Sequence, residues 1–304
     1  MEAERPMRVG VIGLGSMGLG VARSLLRAKL EVHGFDVRPE LLRVLHDEGG
    51  LASATPAELG GRVDALVVLV VNADQTEQVL FGPAGAAAAL RRGAVVVSSA
   101  TVAPEYAAGL GERLRAMGLL HVDAPLSGGA AKAAAGELTV MASGDPAAFE
   151  RARPVLEAIA TKVHRLGDRS GQGSKVKMVN QLLAGVHIAA AAEAMALCIQ
   201  AGADPEVVYE VICGSAGSSW MFQNRVPHIL TGDYTPLSAV SIFVKDLGIV
   251  LDSARKLGMA LPLTSTAHQM FLLAAAEGHG GEDDSAVVKI YPGVPLPGPG
   301  PQEG

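Results

Sequence analysis

Lys177 and Asn180 stand one helical turn apart in GQGSKVKMVNQ, at the head of an alanine-rich run that continues to Ile199. A lysine and an amide on one helix face suit the oxidation of an alcohol. Hydride leaves the carbon, the lysine takes the hydroxyl proton, and the amide orients the oxygen. An unperturbed lysine, with a pKa of about 10.4, is too basic for this, but desolvation in a closed cleft or a neighbouring cation lowers it. On composition alone Lys177 reads first as a surface lysine. Lys175 lies nearly opposite it around the helix and faces solvent or a second domain. His187 either reaches a polar substrate or is satisfied within helix packing. Lys245-Asp246, in FVKDLG, is either a structural ion pair or a lysine aimed at the cleft.

A hydride acceptor is the other requirement, and the N-terminal residues supply a place for one. Arg8 to Gly18, RVGVIGLGSMG, is a β-branched run entering a GxGxxG turn, with helical periodicity from Leu19 to Ala28. Gly13 permits the tight turn, Gly15 lets the backbone approach a pyrophosphate, and Gly18 allows close packing of helix on strand. A second strand, Leu30 to Phe35, ends in Asp36, about 20 residues beyond the glycines, where a dinucleotide fold places its ribose-binding acid. Asp36 should accept from both ribose hydroxyls and repel a 2′-phosphate, which favours NAD over NADP. Arg38 is either a solvated loop residue or a partner for that phosphate.

Strand-like runs continue at Asp64 to Val71, Ala94 to Ser99, Leu119 to Asp123, Leu138 to Ser143 and Lys162 to Leu166, which predicts a doubly wound α/β sheet of Rossmann type. Loops leaving the carboxyl ends of such strands line the crevice. Val71-Asn72 and the Ser99 to Pro104 loop, with Thr101, are therefore cofactor candidates or plain polar loops. In DAPLSGG, the Ser127 hydroxyl and the backbone of Gly128 and Gly129 could form a small nest for a carboxylate; a plain turn is the alternative. From Gly202 onward the pattern is helical, at Asp204 to Cys213, Met221 to Leu230, Ser238 to Leu257 and Thr264 to Glu277. The expected organisation is a dinucleotide-binding domain over 1–170 and an all-α domain over 171–291. The long interdomain helix 171–200 joins them, and a disordered Pro/Gly tail follows over 292–304.

With 304 residues, 49% of them hydrophobic, a net charge of −6 and no basic surplus, the chain is expected to handle a small molecule rather than nucleic acid or a membrane surface. Cys198 and Cys213 are too few for a disulfide framework, which fits a reducing cytoplasm. The first strand begins almost at once, so no signal peptide is expected, and no apolar run reads as a membrane span. In GHGGEDDS, residues 278–285, the acids read as the cap of a last short helix rather than as a metal site.

Together GLGSMG, DAPLSGGAAKAAAGEL, GQGSKVKMVNQ and KDLGIVLDSA resemble, in order, the four motifs of the β-hydroxyacid dehydrogenase family, which includes 3-hydroxyisobutyrate dehydrogenases and tartronate semialdehyde reductases. The resemblance covers the chain except the tail. It implies that Gly13, Leu14, Gly15, Ser16, Met17 and Gly18 hold the cofactor, with Thr101 and Lys245 at its nicotinamide end. It also implies that Lys177 is catalytic, that Asn180 orients the substrate, and that Ser127, Gly128 and Gly129 contact its carboxylate. Two departures are Asn180-Gln181, where many relatives have Asn-Asn, and Ser98, where many have an acid; they argue against a simple hydroxyisobutyrate substrate. NQLLAGVHIAAAAEAMAL, SSWMFQNRVPHIL and GHGGEDDSAVVKIY are similar to the L-threonate dehydrogenase branch, which implies NAD-dependent oxidation of a four-carbon sugar acid beside its carboxylate. Ser218, Asn224 and His187 are then candidate partners for further hydroxyls. The family resemblance also implies a homodimer or homotetramer. A 3-hydroxyacid dehydrogenase, a tartronate semialdehyde reductase and a non-catalytic dinucleotide-binding module are the alternatives.

Overall fold

The computed structural model describes residues 6–298 and divides into two compact units, the first ending at Lys177 and the second beginning at Met178. In the first, six parallel strands are ordered β3-β2-β1-β4-β5-β6. They are β1 (Arg8–Ile12), β2 (Glu31–Phe35), β3 (Leu51–Ala52), β4 (Ala65–Val68), β5 (Val95–Ser98) and β6 (Leu120–Asp123). Parallel strands covered on both faces must be apolar on both, and β4, ALVV, is buried at every position. One face carries Val9, Val11, Val67 and Val97 against α1 (Ser16–Arg27) and its neighbours; the other carries Ile12, Leu66, Val68 and Val96. The crossovers are α2 (Pro39–Asp47), α3 (Pro56–Gly60), α4 (Ala73–Phe81) and α5 (Pro104–Ala116). Three of these four begin with proline, whose missing N–H costs nothing in a first helical turn. Strand order reverses between β1 and β4, which opens the ligand crevice at their carboxyl ends.

The runs at 138–143 and 162–166 do not extend this sheet, contrary to expectation. They form β8 (Leu138–Ala142) and β9 (Ala160–Arg165) of a separate three-stranded sheet with β7 (Leu126–Ser127), and α6 (Gly129–Ala135) and α7 (Pro146–Ile159) lie between them in the chain. Pro125 and the left-handed glycines, Gly128 at φ +139° and Gly129 at φ +75°, turn the chain away after β6. In addition β9 is exposed or half-buried along its length, which a central parallel strand does not tolerate.

Helix α8 (Gln172–Gln200) starts in the first unit and runs into the second, where α9 (Pro205–Cys213), α10 (Trp220–Thr231), α11 (Val240–Lys256) and α12 (Pro262–Ala276) follow. By length and a mean hydropathy of 1.9 over its most apolar window α8 could cross a membrane. It is instead a core helix: Ile188, Ala192, Met195 and Ala196 pack with Phe222, Phe243, Leu247 and Phe271. At Gly185 an added Cβ would come within 2.8 Å of Leu247, so the small residue sets how closely α8 and α11 approach. Residues 278–285 cap a closing 3-10 helix (Asp284–Ile290) through Asp283, and Asp284 accepts a buried hydrogen bond from Arg225 at 2.5 Å. Among the described residues no His/Cys/Asp/Glu group is arranged to hold a metal. Of the tail expected to be disordered, Val294 and Leu296 pack against this helical core; residues 299–304 lie outside those described.

Candidate active site

The glycine turn after β1 has the geometry an anion-binding turn needs. Gly13 sits at φ +91°, where a Cβ would stand 2.7 Å from the Leu69 carbonyl, and a Cβ on Gly18 would overlap the Gly13 carbonyl oxygen at 1.8 Å. A Cβ on Gly15 would meet only the Arg38 guanidinium, at 3.5 Å, so this backbone is open to a ligand. Leu14 is buried, and its N–H donates to Asp36 Oδ2 at 2.7 Å, which ties the turn to the end of β2. Asp36 also accepts from the Arg38 N–H and Nε at 2.9 and 3.1 Å. Burial alone would raise its pKa, but the bonds from Arg38 and Leu14 outweigh that and hold it below the usual carboxylate value. An ionised acceptor therefore stands where the adenine ribose is expected. Ser16 and Met17 open α1. Further along the crevice Asn72 caps α4, accepting from the Gln75 N–H at 2.8 Å; Val71 is exposed, and Thr101 is half-buried in the loop after β5.

Lys177 is buried, at 9% exposure, whereas Lys175 is exposed. The surface-lysine alternative therefore fails. The Lys177 Nζ donates to the Leu126 carbonyl at 2.8 Å, one residue before Ser127 and the Gly128-Gly129 turn. The lysine and the carboxylate-binding candidates thus come together in the first unit. Ser98, the departure from the family pattern, is buried and hydrogen-bonded to His121 Nε2 at 2.8 Å, while His121 Nδ1 meets Ser170 Oγ at 2.7 Å. Burial drops the His121 pKa to about 3, so this histidine is a neutral link in the core.

In the second unit Asn180 and Lys245 are joined through two residues that sequence reasoning left unassigned or ambiguous. The Asn180 Nδ2 donates to Gln181 Oε1 at 2.9 Å, and the Gln181 Nε2 donates to Asp246 Oδ2 at 2.5 Å. Asp246 in turn accepts a short bond from Lys245 Nζ. Gln181 and Asp246 are both buried, so the Lys245-Asp246 pair is an ion pair that also anchors an amide. The available signal was spacing: Gln181 is four residues from Lys177 and shares its helix face as well as Asn180 does. His187 is half-buried, Ser218 accepts from Gln223, and Asn224 accepts from Arg225.

Residues 8–167 match the family described as the NAD binding domain of 6-phosphogluconate dehydrogenase. Residues 171–291 match the one described as NAD-binding of NADP-dependent 3-hydroxyisobutyrate dehydrogenase. The chain is 64% identical over 290 residues to the L-threonate dehydrogenase of Cupriavidus necator, covering 95% of this chain and 98% of that protein. It belongs to the 3-hydroxyisobutyrate dehydrogenase-like family. As a member it is an NAD(P)-dependent dehydrogenase of hydroxy acids. The L-threonate dehydrogenase of Escherichia coli K12 is 52% identical over 299 residues, covering 98% of this chain and 99% of that one. A crystal structure of a 3-hydroxyisobutyrate dehydrogenase from Salmonella typhimurium superposes with a TM-score of 0.90 at 54% identity, covering 94% of this chain and all of that chain.

Proposed function

We propose that the enzyme oxidises L-threonate at the hydroxyl beside its carboxylate, with NAD, to 2-oxo-tetronate. The observation that carries the substrate reading is the 64% identity, over nearly the whole chain, to a protein named for that activity. A second reading, oxidation of 3-hydroxyisobutyrate, is favoured by the name of the Salmonella structure. The backbone of the Gly13 to Gly18 turn and the ionised Asp36 fit a dinucleotide, and Asp36 favours NAD by opposing a 2′-phosphate.

The nicotinamide, when bound, supplies the acceptor for the hydride. Lys177 takes the hydroxyl proton, and its contact with the Leu126 carbonyl keeps it beside the Ser127 to Gly129 turn, which holds the substrate carboxylate. Asn180, one turn on along α8, orients the reacting hydroxyl, and Lys245 serves the nicotinamide end of the cofactor. Exposed apolar side chains on the helices of the second unit, among them Leu197, Trp220 and Leu263, support self-association into a dimer or tetramer. A cytoplasmic location is consistent with the two free cysteines.

The test is NADH formation across L-threonate, D-threonate, D-erythronate, 3-hydroxyisobutyrate and D-glycerate, each with NAD and with NADP. Selective turnover of L-threonate with NAD is expected. Preference for 3-hydroxyisobutyrate would overturn the substrate assignment in favour of the second reading.

A further inference from the structure

The chain from Asp123 to Leu126 and the start of α8 are held together twice, each time by residues 51 apart in sequence. At one end Asp123 Oδ1 accepts from Ser174 Oγ at 2.7 Å. Its Oδ2 accepts from the N–H groups of Gly171 and Ser174, both at 2.9 Å, and from Ser143 Oγ at 3.1 Å. Ser143 Oγ itself accepts from the Gly173 N–H at 2.9 Å. One carboxylate at the end of β6 thus accounts, directly or through one serine, for three backbone donors at the beginning of α8, which no intrahelical carbonyl can satisfy. At the other end the Lys177 Nζ donates to the Leu126 carbonyl. The helix has no slack between these ties, since a Cβ on Gly173 would stand 2.2 Å from the Met141 carbonyl oxygen and 2.9 Å from that of Asp123. Asp123, Ser143 and Ser174 are all essentially inaccessible to solvent.

We propose that Asp123 is a positioning residue: by capping α8 from β6 it fixes the spacing between the Lys177 Nζ and the Ser127 to Gly129 turn, and so the reach of the proton-transfer group to the bound acid. This rests on the catalytic role given above to Lys177. A plain helix cap would stabilise the fold and nothing more. This one lies on the same strand end that continues, three residues later, into the carbonyl receiving Lys177 and then into the turn that takes the substrate. Asparagine at this position keeps one oxygen for the backbone donors and offers Nδ2 to the Ser174 hydroxyl, which can accept as well as donate. It is the conservative replacement; alanine removes every tie.

The experiment compares Asp123→Ala, Ser174→Ala and Asp123→Asn with the parent by two readouts. The first is the pH profile of kcat together with KM for L-threonate and NAD. Asp123→Ala and Ser174→Ala are expected to lower kcat by about ten- to a hundredfold, the effect of displacing a catalytic group by a fraction of an ångström to an ångström. KM for NAD should stay within twofold. The acid limb should move to higher pH, because a lysine released from its buried place beside the Leu126 carbonyl regains water around its charged form. Asp123→Asn should restore most of kcat.

The second readout needs no substrate and therefore separates failure of this proposal from failure of the assigned reaction. The rate at which trinitrobenzenesulfonate labels Lys177, measured against exposed Lys175 in the same peptide digest, should rise in Asp123→Ala and Ser174→Ala and stay near the parent value in Asp123→Asn. Should Asp123→Ala fail to fold, Ser174→Ala and Asp123→Asn carry the same test. An unchanged labelling ratio and an unmoved acid limb in folded Ser174→Ala would overturn the proposal.

Discussion

Replacing Asp36 with alanine should do more than weaken cofactor binding; it should shift the choice between the two nicotinamide dinucleotides. In the parent the carboxylate is ionised, buried and bonded to Arg38 through the Arg38 N–H at 2.9 Å and Nε at 3.1 Å. Its removal takes a negative charge away from the position of a 2′-phosphate and releases the guanidinium standing 3.5 Å from the space above Gly15. A unit charge at about 4 Å is worth ~1 kcal/mol in water and ~4 kcal/mol at an effective dielectric of about 20. The Arg38 side chain is 53% exposed, so the lower part of that range applies to its attraction for phosphate. About 2 kcal/mol in total, or roughly a thirtyfold swing in the NADP-to-NAD ratio of kcat/KM, is the expected result. Loss of the bond from the Leu14 N–H, 2.7 Å long, should also raise KM for NAD. Initial rates at limiting cofactor with saturating L-threonate give both ratios. A ratio unchanged within twofold, with NAD and NADP affected alike, would refute the assignment of Asp36 to the ribose.

Replacing Lys177 by alanine should lower kcat by about 10²- to 10⁴-fold while the Kd for NADH, read by fluorescence titration, stays within a few-fold of the parent. In the second unit burial lifts the Asp284 carboxyl to about 6 despite the opposing Arg225 charge. Because that folded value lies above the unfolded 3.8, the group's contribution to stability is complete below pH 3.8 and is lost as pH rises through 6. Arg225→Met, which leaves Asp284 without its guanidinium, should therefore cost about 3–5 kcal/mol at pH 7.5 and less at pH 5, by urea denaturation. Taking the difference between variant and parent at each pH cancels His121, whose lowered pKa of about 3 makes both less stable as pH falls below 6.5.

What the sequence discloses here divides along the range of the interactions involved. The glycine turn and Asp36 are local: a strand, a tight turn and a helix end must coincide within a few residues, and each leaves its own residue type behind. Sheet membership is not local, which is why β8 and β9 read as further strands of the main sheet although Pro125 and two left-handed glycines had already turned the chain aside. The buried partners of the site are longer-range still. Asp123 looks like a strand-ending acid until Ser174 arrives, and Gln181 looks like a surface amide until Asp246, 65 residues on, accepts from it. Lys177 shows the same limit: its type and spacing suggest chemistry, but only its burial against the Leu126 carbonyl removes the surface reading.

The most direct test of the proposed reaction uses L-threonate carrying deuterium at C2, the carbon beside the carboxylate, and follows the label by mass spectrometry. Oxidation at that carbon predicts NADH that has gained the deuterium, an oxo-acid that has lost it, and slower turnover than with the protium substrate. NADH formed without label, beside a product that keeps its deuterium, would place the chemistry at another hydroxyl and contradict the account.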